Sequence, residues 1–91
     1  MITPSMQPKL NAMFRLQWEP AQDCHVLLFP EGMVKLNGGA AEILKLVDGA
    51  NNVADIVALL QQKFPEANDL TDDVHEFLIT AQQKKWLYYE K

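Results

Sequence analysis

Cys24 and His25 are the residues of this chain whose side chains could supply a nucleophile and a base. A thiol becomes a strong nucleophile when an imidazole within hydrogen-bond reach takes its proton. The two residues are neighbours in a segment that reads as a strand, where successive side chains point to opposite faces, so they cannot pair with each other. We therefore interpret Cys24 as a small side chain at the start of a strand. A small enzyme acting through this thiol is kept as one hypothesis.

No other residue pattern in the sequence predicts catalysis, a metal ion or a cofactor. His25 and His75 lie far apart, with no cysteine or carboxylate at the spacing of metal ligands. Asp72 and Asp73 are adjacent, so on a helix their side chains point about 100° apart and do not resemble a catalytic pair. Gly38-Gly39 lacks the spacing and the lysine of a phosphate-binding loop. We expect a protein that is not an enzyme and that holds no metal ion or cofactor.

The charge balance argues against nucleic acid as a partner. The chain carries 8 Lys and Arg against 12 Asp and Glu, a net charge of −4. Affinity for phosphate groups comes from clustered basic side chains. Here the basic residues are spread out, apart from Lys84-Lys85 with Lys91 nearby. An acidic stretch from Glu66 to Glu76 is typical of a solvated loop and a helix N-terminus, and a docking patch for a basic partner is the alternative.

Length and cysteine content limit the organisation and the compartment. A chain of 91 residues predicts one domain. Its single cysteine excludes an intrachain disulfide, which fits a reducing compartment. No apolar run is long enough to cross a membrane, and no basic-then-apolar signal segment opens the chain. We therefore expect a cytoplasmic protein that does not act at a membrane.

The first part of the chain predicts an arm followed by two strands. Residues 1–13 contain two prolines and no periodicity, so we expect a flexible arm. Residues 14–19 alternate between apolar and polar types, which predicts a half-buried strand with Phe14, Leu16 and Trp18 facing inward. A second strand is expected from His25 to Phe29, with apolar side chains on both faces.

A tight turn and a third strand come next. Pro30 and Gly32 suit the second and fourth positions of a turn. The third strand is expected from Met33 to Leu36. Val34 and Leu36 then share one face, while Met33 and Lys35 share the other.

Three helices are predicted after the strands, each with one apolar stripe. Asn37 and Asn52 are preferred N-cap residues for the first two, and Gly49 and Pro65 are expected to end them. The third is expected to begin near Leu70-Thr71. The residues predicted to face inward are Ala40, Ile43, Leu44 and Val47, then Val53, Ile56, Val57, Leu60 and Phe64, then Val74, Phe77, Leu78 and Ala81.

Two apolar features lie outside these stripes. Ile79 lies about 140° from Val74 around the third helix, which indicates a wider core stripe, one wall of a groove or a dimer contact. Trp86-Leu87-Tyr88-Tyr89 is expected to form a short closing strand or an aromatic lid. Exposed apolar groups of this kind often mark an interface. A homodimer formed through the aromatic residues or the N-terminal arm is therefore one expectation.

The order of elements predicts an α+β fold, winged helix-turn-helix-like, in which a three-stranded antiparallel sheet is followed by three helices. A transcription regulator of the winged helix-turn-helix type is the alternative function. A third helix that reads DNA needs Arg, Lys or Asn facing out, and here the outward residues include Asp73, Glu76 and Thr80. The residues therefore favour a module that binds something other than nucleic acid.

The string Pro30-Glu31-Gly32-Met33-Val34-Lys35-Leu36-Asn37, with the segment 40–49 after it, resembles the PqqD family of pyrroloquinoline quinone (PQQ) biosynthesis. Segments 14–19 and 55–57 and the closing Trp86-Leu87 also fit that family. The resemblance covers nearly everything from Phe14 to Leu87, and the joined string is its most specific part. It implies one peptide-binding domain over residues 14–89.

The resemblance also implies a function and a site. Members of the family act like peptide chaperones that bind the ribosomal precursor peptide PqqA and present it to the radical SAM enzyme PqqE. The peptide is expected to join the sheet as an added strand, against the third strand and beside the third helix. A short strand with an open edge is suited to this mode of binding. The peptide-binding residues implied are Met33, Val34, Lys35 and Leu36 from the strand, and Val74, Phe77, Leu78 and Ala81 from the helix.

Overall fold

The computed structural model describes residues 2–89, which form five strands and three helices. Strands β2, β3 and β4 make one antiparallel sheet in that order, and β1 pairs antiparallel with β5 in a second sheet of two strands. This arrangement contains the predicted three-stranded sheet followed by three helices. The elements are β1 (Pro8–Leu10), β2 (Arg15–Glu19), β3 (Cys24–Phe29), β4 (Gly32–Lys35), α1 (Gly38–Lys45), α2 (Val53–Lys63), α3 (Thr71–Gln83) and β5 (Leu87–Tyr89).

The three-stranded sheet is a meander with short turns. In the first pairing Arg15 lies opposite Leu28, and in the second Met33 lies opposite Leu28 from the other side. Pro30 and Glu31 form the turn between β3 and β4, and Gly32 has a φ of +152°, in a region that favours glycine. The predicted strand, turn and strand are confirmed, with boundaries shifted by one residue.

Side-chain caps fix where α1 and α2 begin. The Asn37 side chain accepts a hydrogen bond from the backbone N–H of Ala40 at 2.8 Å. Asn52 and Asp55 form a capping box in which each side chain accepts a hydrogen bond from the other residue's backbone N–H, at 2.7 and 3.0 Å. Both predicted N-caps are confirmed.

The first helix ends earlier than its sequence predicts. It ends at Lys45 with Leu46 as the C-cap, so the prediction that Gly49 caps it was wrong. Gly49 lies within a turn in which the Asp48 carboxylate accepts hydrogen bonds from the backbone N–H groups of Asn51 and Ala50, both at 2.9 Å. These bonds hold the pKa of Asp48 below its ordinary value.

The core lies between one face of the three-stranded sheet and the three helices. Most side chains that the helical periodicity placed inward are buried there, whereas Ala40, Val57 and Phe77 are partly buried at its border. Removing this apolar surface from water is the main force that holds the layers together. The buried cluster consists of Leu27, Leu36, Ala41, Ile43, Leu44, Val47, Val53, Ile56, Leu60, Val74, Leu78, Ala81 and Leu87.

Two aromatic residues that the periodicity placed inward are exposed. Trp18 is 50% exposed, because it lies on the outer strand β2 near its end, where its ring contacts His25 edge-on at 5.2 Å. Phe64 is 42% exposed, because it is the C-cap of α2 and its side chain leaves the helix beyond the last packed turn. Both predictions were wrong for the same reason. Periodicity reports the direction of a side chain but not whether another element reaches far enough to cover it.

The N-terminal segment differs from the arm expected over residues 1–13. Residues 8–10 form β1 and pair with β5, so that Pro8 lies opposite Tyr89 and is fully buried. The segment before β1 supplies backbone acceptors to α2: the carbonyl of Met6 accepts from Val53 N–H at 2.9 Å, and that of Pro4 from Ala54 N–H at 3.0 Å. A helix start needs such acceptors. The segment packs on its own chain, and Met1 lies outside the described residues.

The closing aromatic residues form a strand rather than a lid. Leu87–Tyr89 is β5, with Leu87 in the core and Tyr88 41% exposed. Within residues 2–89, the helices are all too short and too polar to cross a membrane.

Candidate functional site

The outer edge of β4 is an open backbone surface. The N–H of Leu36 donates to the carbonyl of His25 at 3.0 Å, which fixes these two as a hydrogen-bonded pair. Such pairs alternate along antiparallel strands, so the backbone groups of Gly32 and Val34 also point to β3. Those of Met33 and Lys35 point the other way. Within the described part of the chain, no strand lies on that side of β4.

The side chains of β4 alternate as the sequence predicts. Leu36, which follows the strand, is buried in the core and Val34 is partly buried beside it. Met33 is 43% exposed and Lys35 is exposed. An edge of this kind can accept a further strand, because it offers paired donors and acceptors in the sheet plane and side chains on both faces.

The four residues predicted on α3 are not equally accessible. Val74, Leu78 and Ala81 are almost completely buried in the core, and a partner cannot touch most of their surface without opening it. Phe77 is partly exposed, and the centre of its ring lies 6.4 Å from the centre of the Trp86 ring. The structure therefore brings Phe77 close to the surface and leaves the other three as packing residues. The sequence could not separate these roles, because both use the same apolar stripe.

A shallow apolar cavity of about 180 Å³ lies between the three helices. Val74 lines the wall of this cavity. Such a contact is the one part of the predicted peptide-binding role of Val74 that the geometry permits. The exposed ring of Phe64 at the end of α2 borders this cavity. Sequence reasoning missed the cavity because its walls come from three helices. The lining residues are Gly39, Glu42, Ile43, Leu60, Phe64, Leu70, Asp73 and Val74.

Ion pairs hold the rim of the cavity. Glu42 on α1 pairs with Lys63 on α2 and with Lys45 at 2.9 Å. The hydrogen bonds from Lys63 and Lys45 lower the pKa of Glu42. The negative charge of Glu42 is therefore balanced by lysine, and its pairing with Lys63 ties α1 to α2.

Lys35 differs from these lysines. Among residues 2–89 it takes part in none of the ion pairs. Its direct neighbour across the sheet is Val26, which is fully buried but is not part of the cluster under the helices. Lys35 thus lies on the outer face of the sheet, above an apolar neighbour and next to the open edge.

The geometry gives no support to catalysis or DNA reading. Cys24 lies opposite Glu19 and His25 lies opposite Trp18, so their side chains point to opposite faces as predicted. Within the described residues, no three His, Cys, Asp or Glu side chains form a metal-binding group. The exposed face of α3 carries Asp72, Asp73 and Glu76, which would repel a phosphate backbone.

Comparison with known proteins identifies the family. A family model described as "Coenzyme PQQ synthesis protein D (PqqD)" matches residues 24–87. The chain belongs to the PqqD family. The resemblance seen in the string from Pro30 to Asn37 is therefore confirmed.

Relatives within the PqqD family align along most of this chain. The PqqA binding protein of Azotobacter vinelandii is 56% identical over 80 residues, which is 88% of this chain and 87% of that protein. The PqqA binding protein of Klebsiella pneumoniae is 60% identical over 74 residues, covering 81% of this chain and 80% of that protein. The PqqA binding protein of Rahnella aquatilis is 44% identical over 90 residues, which is 99% of this chain and 95% of that protein.

A solved PqqD structure has the same fold. It is the solution NMR structure of the PqqD truncation of Methylobacterium extorquens PqqCD, described as a functional and stand-alone recognition element for ribosomally synthesized and post-translationally modified peptides. It matches with a TM-score of 0.77 and 33% identity, covering 97% of this chain and 95% of that chain. The α+β, winged helix-turn-helix-like fold predicted for this PqqD-family chain is confirmed.

Proposed function

We propose that this chain is a peptide chaperone of PQQ biosynthesis that binds the precursor peptide PqqA as an added strand on the outer edge of β4. The open row of backbone groups at Met33 and Lys35 is the observation that carries the proposal. Relatives named PqqA binding proteins support the identity of the peptide. The neighbouring structure, described as a peptide recognition element, supports the mode of action. The protein acts by binding and not by catalysis.

The contacts follow from the geometry of the edge. Backbone groups of Met33 and Lys35 hydrogen-bond to the peptide, while its side chains alternate between the outer face of the sheet and the helical side. On the helical side Val34 and Phe77 offer partly exposed apolar surface. Val74, Leu78 and Ala81 are buried in the core and hold α3 in place. The burial of Leu36 in the core fixes which side chains of β4 face the helices.

The edge hydrogen bonds can be tested from the peptide. Synthetic PqqA is N-methylated at one backbone amide at a time, and binding to the labelled protein is measured by fluorescence anisotropy. Added strands pair through every second residue, so affinity should fall with a period of two, by about 2- to 10-fold at each sensitive amide. A uniform effect along the peptide, or no effect, would exclude strand addition.

Proline substitution tests the same bonds from the protein. Lys35→Pro removes an N–H that points to the open edge, and proline is tolerated on edge strands. This variant should stay folded and bind PqqA more weakly than Lys35→Ala, which removes the side chain alone. Val34→Pro is the matched contrast, because its N–H points to β3 and its loss should unfold the sheet.

We also propose that the bound peptide is presented to PqqE. The strand β4 has four residues, so a longer peptide leaves most of its length outside the edge and accessible to an enzyme. The test measures cross-linking of PqqA by PqqE with the chain or with Lys35→Pro present. We expect product formation with the variant to fall in proportion to the fraction of the protein that has PqqA bound. Equal product yields would rule out presentation through β4.

A further inference from the structure

We infer that Lys35 selects the bound peptide by pairing with an acidic residue directly opposite it on the added strand. This inference rests on the proposed strand addition to β4. Met33 lies two residues earlier on the same face and is 43% exposed. The residue opposite Met33 should then be apolar. The recognised pattern is an acidic and an apolar residue separated by one position.

The first step is the face that these side chains share. Directly paired residues of an antiparallel sheet place their side chains on the same face. Lys35 pairs with Val26, and Val26 pairs on its other side with Gln17 of β2. Val26 is fully buried although it lies outside the core cluster. The long side chains of Gln17 and Lys35 flank it directly on this face, and Lys35 belongs to the strand that borders the open edge.

The second step is the lack of an internal partner for the Lys35 charge. Its cross-strand neighbour Val26 is apolar, and the next residue along the same face of β4 is Met33. Lys45 and Lys63 both pair with Glu42, and the ammonium group of Lys84 lies 5.7 Å from the ring centre of Trp86. In the described part of the chain Lys35 has no such contact. The position across the open edge is where a carboxylate can reach it.

The third step is the charge on the opposite wall. The exposed face of α3 carries Asp72, Asp73 and Glu76, and Asp73 also lines the cavity between the three helices. An acidic peptide side chain on the helical side would lie on the same side of the sheet as these carboxylates, whereas on the outer face it lies on the side of Lys35. The two faces of the added strand therefore have opposite charge preferences. This difference sets the register of the peptide, because a shift by one residue exchanges the faces.

The test exchanges charges between protein and peptide. Binding of synthetic PqqA is compared with that of peptides in which each acidic residue is replaced singly by lysine, using the chain and its Lys35→Glu variant. Lys35→Glu should weaken binding of PqqA by about 3- to 10-fold, since it replaces an attractive pair by a repulsive one. One lysine-containing peptide should bind the variant better than PqqA does, and that residue is the partner. The difference in affinity for PqqA between the unmodified chain and Lys35→Glu should largely disappear in 1 M NaCl.

Arg15 provides a matched control. It lies on the same outer face, on the opposite edge strand β2, and is also exposed. Arg15→Glu changes the net charge by the same amount and should leave affinity for PqqA unchanged within about twofold. An equal effect of both substitutions would mean that net charge alone matters, and would overturn the inference. Lys35→Met retains an unbranched apolar stem and keeps the test available if Lys35→Glu alters the strand.

The outcomes separate this inference from the proposed function. If the unmodified protein binds PqqA with a two-residue period of N-methyl sensitivity but Lys35→Glu binds equally well, strand addition stands and the role of Lys35 is refuted. If the unmodified protein shows no such period, the strand-addition proposal itself fails.

Discussion

Strands β1 and β4 both lie at the border of a sheet, and they differ in whether the outer side is sealed. On one side β1 pairs with β5. On the other side it meets the turn after α1, where the backbones of Lys9 and Asp48 form an isolated antiparallel β-bridge and Gly49 N–H donates to the Pro8 carbonyl at 3.2 Å. The outer side of β4 has no strand partner within the described residues.

The difference separates a strand that completes the fold from one that can bind. Composition does not distinguish them, because both are short and both carry a lysine next to apolar residues. Neighbours distinguish them: β1 satisfies its backbone groups inside the molecule, whereas β4 keeps one row available. Changes to β1 should therefore cost stability, and changes on the open side of β4 should cost binding.

The largest expected effect tests the buried side of β4. Leu36→Asp should unfold the domain, because a carboxylate in the core without a partner costs several kcal/mol, close to the total of roughly 5 kcal/mol expected for a small domain. Lys35→Ala should melt like the unmodified chain. Circular dichroism melts of both variants measure this. An unchanged melt for Leu36→Asp would mean that the side chains of β4 do not alternate as described.

Removal of β1 should have the next largest effect. A version of the chain that starts at Asn11 loses the buried Pro8, uncovers Leu87, and leaves Val53 and Ala54 N–H without their acceptors. We expect a loss of about 3 kcal/mol or more in the free energy of unfolding, measured by urea titration. A version that lacks only residues 1–3 should keep most of the stability. Equal midpoints for the full chain and the shorter version would show that β1 is dispensable.

A smaller effect is expected at the seal of β1. Gly49 has a φ of +79°, and a Cβ at this position would lie 2.9 Å from side-chain carbons of Lys9. Gly49→Ala should cost about 1–2 kcal/mol, while PqqA affinity of the folded protein stays unchanged because β4 is untouched. Gly38→Ala is the control, since a Cβ there meets open space. A matching loss in both variants would point to a general effect of alanine instead of this contact.

The smallest expected effect concerns pH. Hydrogen bonds from Lys63 first and then from Lys45 lower the pKa of Glu42 in the folded state. The Glu42 carboxylate therefore stabilises the folded state at pH values above 4.5, its ordinary pKa. This stabilisation is lost as the pH falls through the folded-state pKa. Glu42→Gln should remove about 0.5 kcal/mol at neutral pH and flatten the acid side of the stability profile. The affinity for PqqA should not follow this titration, because Glu42 lies beside the cavity and not on β4. A profile that Glu42→Gln leaves unchanged would contradict the assignment.

Local signals allowed most of the fold to be predicted. Asn37 and Asn52 mark the helix starts because a cap acts within four residues, and the turn at Pro30 and Gly32 defines the hairpin within a few positions. Strand β1 could not be predicted, because Leu10 pairs with Leu87 and no local pattern reports that contact. The sequence also could not reveal the cavity.

The candidate site divides in the same way. The alternation of Met33, Val34, Lys35 and Leu36 was predictable from the strand period alone. The accessibility of Val74, Leu78 and Ala81 was not, because it depends on what the sheet and the other helices cover. Ile79 was placed off the core stripe and is 42% exposed, but periodicity does not say what partner it meets.

The pairing of β1 with β5 also determines how the molecule would respond to a pulling force. Pro8 lies opposite Tyr89 and Leu10 opposite Leu87, so both outer ends of this pair leave from the same side. A load applied to the two ends of the chain would open the ladder one residue pair at a time, as a zipper opens, instead of shearing all its bonds together. The small sheet would therefore yield at low tension, and β4 would carry load only after the closing strand has peeled away.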